Sequence, residues 1–396
     1  MAKRLVAMAF ATAFSTCVAL GDDGRWYDSA QKLTWGYVVT NGEATISTPS
    51  FWDDNAREAC KGDIVVPSRI GPDGPDGNTT YPVRDMAPGL FRKCTKVTSV
   101  KLPDGIRRIA PNAFYFDSGS TITNVTVGAG CLDIGENAFC RCQALERVNI
   151  PNTVTNIAKD AFTMCYALKS IDIPGSVKTI GDSAFAACYA LESVTLGDGV
   201  EAIDVDAFMN CSSLADVDAP SSVRHVGDRA FYGCSALGVA TLREGLETIG
   251  FCAFNQCESL SVVSIPSSVV WVGERAFEYC PDSIFDKATV PGVCLLSGWA
   301  VGVDGPSGAI DLSGVTGVAD GLFKGNASVT SVVFPSGMET LGDSMFNGCT
   351  WLESVALPAT LKSIESYAFQ DCRNIKAIAI PSGVTNIGQS AFCYCG

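Results

Sequence analysis

Eighteen cysteines, a single histidine and 42 acidic residues are the side chains through which this 396-residue chain could do chemistry. A Ser-His-Asp or Cys-His nucleophile would have to recruit His225, which stands beside the apolar Val226 in an ordinary stretch and reads as an exposed turn residue. No G-x-S-x-G elbow, phosphate-binding loop or H-E-x-x-H motif occurs. The acid pairs Asp22-Asp23 and Asp53-Asp54 fall in loops, with nothing to hold two carboxylates across a sugar ring. Eleven cysteines, Cys94, Cys142, Cys165, Cys188, Cys211, Cys234, Cys257, Cys280, Cys349, Cys372 and Cys395, recur at one phase of a repeat. Zinc needs close pairs of sulfurs, and one sulfur per period does not supply them. These cysteines read as small buried apolar side chains, too far apart across a widening convex face to be bridged. The off-phase Cys60, Cys131, Cys140, Cys252, Cys294 and Cys393 leave room for a local disulfide whose partners the sequence does not assign. The expectation is a chain that is no enzyme, has no metal site and takes no cofactor.

The period that spaces the cysteines also decides the architecture. Its marker is a phenylalanine, usually after Ala and three residues before Cys: Phe91, Phe114, Phe139, Phe162, Phe185, Phe208, Phe231, Phe254, Phe277, Phe323, Phe346, Phe369 and Phe392. The spacing is 23 residues, with one step of 25 and one of 46, so a degenerate unit lies between Phe277 and Phe323. Around Phe185, Val194 and Leu196 alternate like a half-buried strand, which a Pro or Gly then stops. Ala-Phe-x-x-Cys has helical spacing, and an acid three residues before the phenylalanine (Glu136, Asp182, Asp228, Glu274, Asp343) would cap that helix. Stacking such units makes a column from Phe139, Phe162, Phe185, Phe208, Phe231, Phe254 and Phe277, with Cys142 to Cys280 beside it.

Other segments depart from the repeat. Residues 1–21 read as a secretory signal: Lys3 and Arg4 precede the apolar Leu5 to Ala13, with cleavage after Ala19 or Gly21. Residues 22–90 read as an N-terminal cap, with a hairpin turning at Asn41-Gly42 and a polar insertion, GPDGPDGNTT, that lacks the acid spacing of a calcium loop. Regular repeats fill 91–282, a degenerate repeat carrying a β-hairpin insertion fills 283–320, and repeats resume over 321–396, where the pattern stops as if truncated.

Segments such as LKSIDIPGSVKTIGDSAFAAC closely resemble the BspA-like class of leucine-rich repeats, over about Phe91 to Gly396. The resemblance implies an α/β, right-handed leucine-rich-repeat solenoid, with one short strand plus a short helix per 23-residue turn and an N-terminal β-rich cap. It also implies a bacterial secreted or cell-surface protein involved in adhesion, with an extracellular protein as partner, and it transfers no catalytic residue.

The net charge of −14 argues against nucleic acid and anionic membranes. A solenoid's usual working surface is its exposed strand face, here Lys101, Asn149, Asp172, Thr195, Asp218, Thr241 and Ser264. These are small and mostly polar, which fits a broad, multivalent contact by a monomer. A structural stalk and a carbohydrate-binding solenoid are the alternatives; the second would need stacked exposed aromatics, for which Tyr166, Tyr189 and Trp351 are candidates.

Overall fold

A computed structural model describes residues 23–28, 31, 33–47, 60–71, 80–92, 94–116 and 119–395. The signal reading of residues 1–21, the pair Asp53-Asp54 and most of the GPDGPDGNTT insertion lie outside them. The described chain winds as a β-solenoid of about 12 turns. Each regular turn has three sides.

The first side is a strand of two to six residues, such as Ser170–Ile173 or Ser193–Leu196, hydrogen-bonded in parallel and in register to the next turn: Ile171 faces Val194 and Asp172 faces Thr195. Alternation sends Ile171 and Ile173 inward and Asp172 outward. The second side is a two-residue strand, and eight of these, from Arg108–Ile109 to Trp271–Val272, form one continuous sheet.

The third side overturns the expected helix. Among the described residues the only helix is a single 3-10 turn, Asp282–Ile284. Around Phe139, alternate amides close local turns, with Ala138 N–H donating to Gly135 O, Cys140 N–H to Asn137 O and Cys142 N–H to Phe139 O. The amides between them leave the turn altogether: Asn137, Phe139 and Arg141 donate to Lys159, Ala161 and Thr163 of the next turn. A helix would need all of these amides pointing along its own axis. The alternation is set by left-handed residues two before and two after the phenylalanine, Asn137 (φ 54°) and Arg141 (φ 62°) here, Ser183 and Ala187 around Phe185, and Gly321 and Gly325 around Phe323. The proposed acid cap changes with it: Asp228 accepts from Phe251 N–H of the next turn at 2.8 Å, with no helix to cap.

Phe91 to Phe277 form a stack with ring centroids 4.8–5.4 Å apart, and Phe323 to Phe392 form another at 5.2–5.5 Å. Burial of each ring stabilises by roughly 1.5–3 kcal/mol, and an offset aromatic pair adds about 0.5–1.5. The same spacing exceeds the ~4.8 Å between strands only slightly, so the expected widening of this face is small.

At the N-terminal end, five strands among the described residues precede the regular array: β1 (Asp23–Asp28), β2 (Leu33–Thr40), β3 (Glu43–Ser47), β4 (Lys61–Val65) and β5 (Arg69–Ile70). β1, β2, β3 and β5 form a sheet with β6 (Tyr81–Met86) in the order β1-β2-β3-β6-β5, while β4 pairs in parallel with β7 (Lys96–Lys101). Asn41 and Gly42, both with positive φ, make the β2–β3 turn. Trp35 sits edge-on against Phe91 at 6.5 Å and closes the stack at this end.

The stack is interrupted between Phe277 and Phe323. Val293–Leu296 and Trp299–Val303 pair as an antiparallel hairpin, with Ala300 in the phase of the absent phenylalanine. Its side chains are shared between two apolar cores: Leu296, Trp299 and Val301 join the N-terminal one, and Val293, Leu295 and Ala300 the C-terminal one.

Candidate functional surfaces

The seven strand-face residues, Lys101, Asn149, Asp172, Thr195, Asp218, Thr241 and Ser264, are all exposed. Ladder registers set Lys101 against Thr126, Asp172 against Thr195 and Asp218 against Thr241. Thr126 therefore belongs to the row, although the 25-residue step hides it from a strict count of 23. Two members are already engaged. Asp218 takes both arms of Arg243, at 3.0 and 2.7 Å. Asn149 bonds the main chain of the preceding turn through both ends of its amide, from Val127 N–H at 2.8 Å and to Val127 O at 2.9 Å.

Beyond Asn149 the strand-face sheet breaks. Arg147–Val148 pairs with Asn124–Thr126 on one side and has no ladder to Ser170–Ile173 on the other. The gap is a shallow cleft of about 180 Å³ lined by Arg147, Val148, Asn149, Ile150, Ser170 and Asp172. The short strands on the second side run on without a break, so the turns stay stacked.

A larger recess of about 470 Å³ lies where the regular turns meet the hairpin. Its charged walls are mostly paired: Lys287 Nζ reaches Asp282 and Asp304 at 2.8 Å each, and Lys324 Nζ reaches Glu274 at 2.8 Å. Asp320 is the exception in character. Burial, with Asp343, Glu365 and Glu274 nearby, pushes its carboxyl up to about 6, against the opposing hydrogen bond from Trp271 Nε1 at 2.9 Å. Sequence reading missed this recess. The available signal was the doubled 46-residue step, with an acid still in phase at Asp320.

The cysteine column is better connected than an apolar reading implies. From Cys142 onward each in-phase thiol donates to the phenylalanine carbonyl of the preceding turn, Cys142 to Phe114 at 3.0 Å and Cys188 to Phe162 at 3.3 Å among them, through to Cys395 and Phe369. Cys165, Cys211, Cys234, Cys257 and Cys280 do the same within the first stack. Burial pushes Cys188 and Cys234 up to about 12, which keeps them protonated and unreactive at neutral pH. No group of three or more His, Cys, Asp or Glu able to hold a metal occurs among the described residues. His225 is exposed on the second side, with Nδ1 3.0 Å from Thr248 Oγ1. Tyr166 and Tyr189 stack on each other at 5.1 Å, and Tyr189 and Trp351 are exposed. No helix among the described residues is long and apolar enough to cross a membrane.

Comparison with curated proteins finds no match. Among solved structures the chain is similar to a leucine-rich repeat protein from Bacteroides ovatus, at 20% identity over 96% of this chain and 92% of that one, with a TM-score of 0.54. It is also similar to a leucine rich cell surface protein from Faecalibacterium prausnitzii, at 24% identity over 93% and 95% of the two chains, with a TM-score of 0.47. The first likeness bears on the fold alone. The family model for the BspA type leucine rich repeat region matches residues 80–192, 155–284 and 313–396. The phenylalanine stack, the thiol column and these matches agree: the chain belongs to the BspA type leucine-rich-repeat family.

Proposed function

We propose that this chain is a non-catalytic scaffold, secreted or held at the cell surface, that binds an extracellular protein across its strand face. Membership of a repeat family of bacterial surface proteins supports the location. The observation that carries the reading is the outward row from Lys101 through Thr126 to Ser264. Parallel ladders fix most of its spacing without further folding, which lowers the ordering cost of a broad contact. The side chains are short and present no single anchor, so affinity would accumulate over several turns. In this reading residues 22–90 cap the coil, 91–282 and 321–396 present the binding face, and 283–320 join the two arrays. The paired walls of the 470 Å³ recess leave few groups to grip a small ligand, which favours the open row as the contact.

The test compares three versions of the chain against a panel of extracellular matrix and cell-surface proteins by biolayer interferometry. One carries Asp172→Lys, Thr195→Lys and Thr241→Lys on the row. A control carries Lys178→Glu and Glu247→Lys, exposed beside the second side. The reading expects a partner that binds the unaltered chain and the control, with at least about tenfold loss in the row variant. Equal retention by both variants, or no partner for any version, sinks it; the latter result favours a structural stalk.

A further inference from the structure

We propose that Cys60 and Cys94 are a disulfide pair that closes, in the presence of a disulfide oxidant, the seam between the N-terminal strands and the first regular turn. β4 and β7 pair in parallel from Lys61 opposite Lys96, and Cys60 and Cys94 stand one and two residues before those paired ends. The two strands are direct neighbours, and a disulfide between residues at their N-terminal ends needs Cα atoms no farther apart than about 7 Å. Both residues are buried, and their side chains are within hydrogen-bonding reach of each other.

Their position in the column explains the difference from the other in-phase cysteines. From Cys142 to Cys280 each thiol has the phenylalanine carbonyl of the preceding turn as acceptor. Cys94 follows Phe91, the first phenylalanine of the stack, and the side chain it meets is that of Cys60. Successive column cysteines are each tied to a main-chain carbonyl, whereas the Cys60 and Cys94 side chains meet each other. The hydrogen bond from Cys94 also holds the Cys60 thiol below its ordinary value, while burial pushes Cys142 and Cys188 well above theirs.

The reaction balances by thiol–disulfide exchange. The Cys60 thiolate attacks glutathione disulfide and releases one glutathione. The Cys94 thiolate then displaces the second, so two protein thiols become one S–S bond and one glutathione disulfide becomes two glutathiones. The pair forms only where such an oxidant is present and stays reduced where it is not.

The full chain is to be refolded in a glutathione redox buffer, alkylated natively, denatured, alkylated with a second reagent, digested and read by mass spectrometry. The expected result is one cross-linked peptide joining Cys60 to Cys94, with the column cysteines labelled by the second reagent only. Thermal melts with and without reductant complete the test for the unaltered chain, Cys60→Ser and Cys94→Ser. Reductant should lower the midpoint of the unaltered chain by several degrees and leave the Cys60→Ser midpoint unmoved; Cys94→Ser should behave likewise if it folds. Cys60 and Cys94 recovered as free thiols after oxidation, either one bridged elsewhere, or an equal effect of reductant on Cys60→Ser would overturn the proposal.

Discussion

At the scale of single residues, phenylalanine, cysteine and one aspartate divide the work. The rings supply apolar area, and the thiols satisfy carbonyls that the turns leave with spare lone pairs. Cysteine suits that place because it is small and apolar yet still a donor. Asp320 works against the fold at neutral pH. Its carboxyl is held near 6, above the ordinary value of 3.8, so the folded state retains a proton that the unfolded chain releases. The stability it contributes is fully present below about pH 4 and is lost as pH rises to about 6. Asp320→Asn keeps an acceptor for Trp271 Nε1 and removes the charge. Its stability relative to the unaltered chain should therefore improve between pH 4 and pH 7.5 by on the order of 2 kcal/mol. Chemical denaturation at the two pH values measures this, and a difference that does not change with pH would contradict the assignment.

At the scale of elements, the turn ladder is the feature that sequence reading misread. The i, i+3 spacing of Phe and Cys belongs equally to a helix and to successive turns closed by i to i−3 bonds, so periodicity alone does not separate them. The distinguishing chemistry was present two residues either side of the phenylalanine. Asn112, Asn137, Asp160, Ser183, Asp206, Asn210, Gly233, Gly325 and Gly348 occupy left-handed positions there. Asn, Asp and Gly tolerate that region and are poor helix formers. By contrast, the 23-residue period and the outward strand positions were legible, because alternation and a repeated aromatic report burial directly. The recess was not, since it depends on how the hairpin meets the regular turns, and the break beside Asn149 was not, since it falls between turns of the same 23-residue length. Ala187 tests the ladder. It holds φ 57° while its N–H donates to Met209 O at 2.7 Å. Ala187→Gly should stabilise by about 1 kcal/mol, while Ala186→Gly next to it should destabilise by a similar amount. A helix would be weakened by both, and urea midpoints distinguish the outcomes.

At the scale of the molecule, no turn has a core of its own. The two apolar cores, extending from Leu33 to Ala319 and from Val290 to Ala391, meet across the 293–303 hairpin. The strand face is thus a product of stacking, and the proposed scaffold function needs the stack before it needs any particular side chain. Stability in such an array is close to a sum over turns and their interfaces. Removing residues 186–208 takes out one period and brings Phe185 directly before Met209, in phase. Removing residues 186–197 takes out about half a period and puts later phenylalanines out of line. The most direct test is hydrogen exchange on these two deletions beside the full chain, read at the Phe162 and Phe231 amides, which bond to the following turn. The stacked-turn account predicts near-native protection after the whole-period deletion and its loss after the half-period one. Equal protection in both deletions, or loss in both, would contradict it.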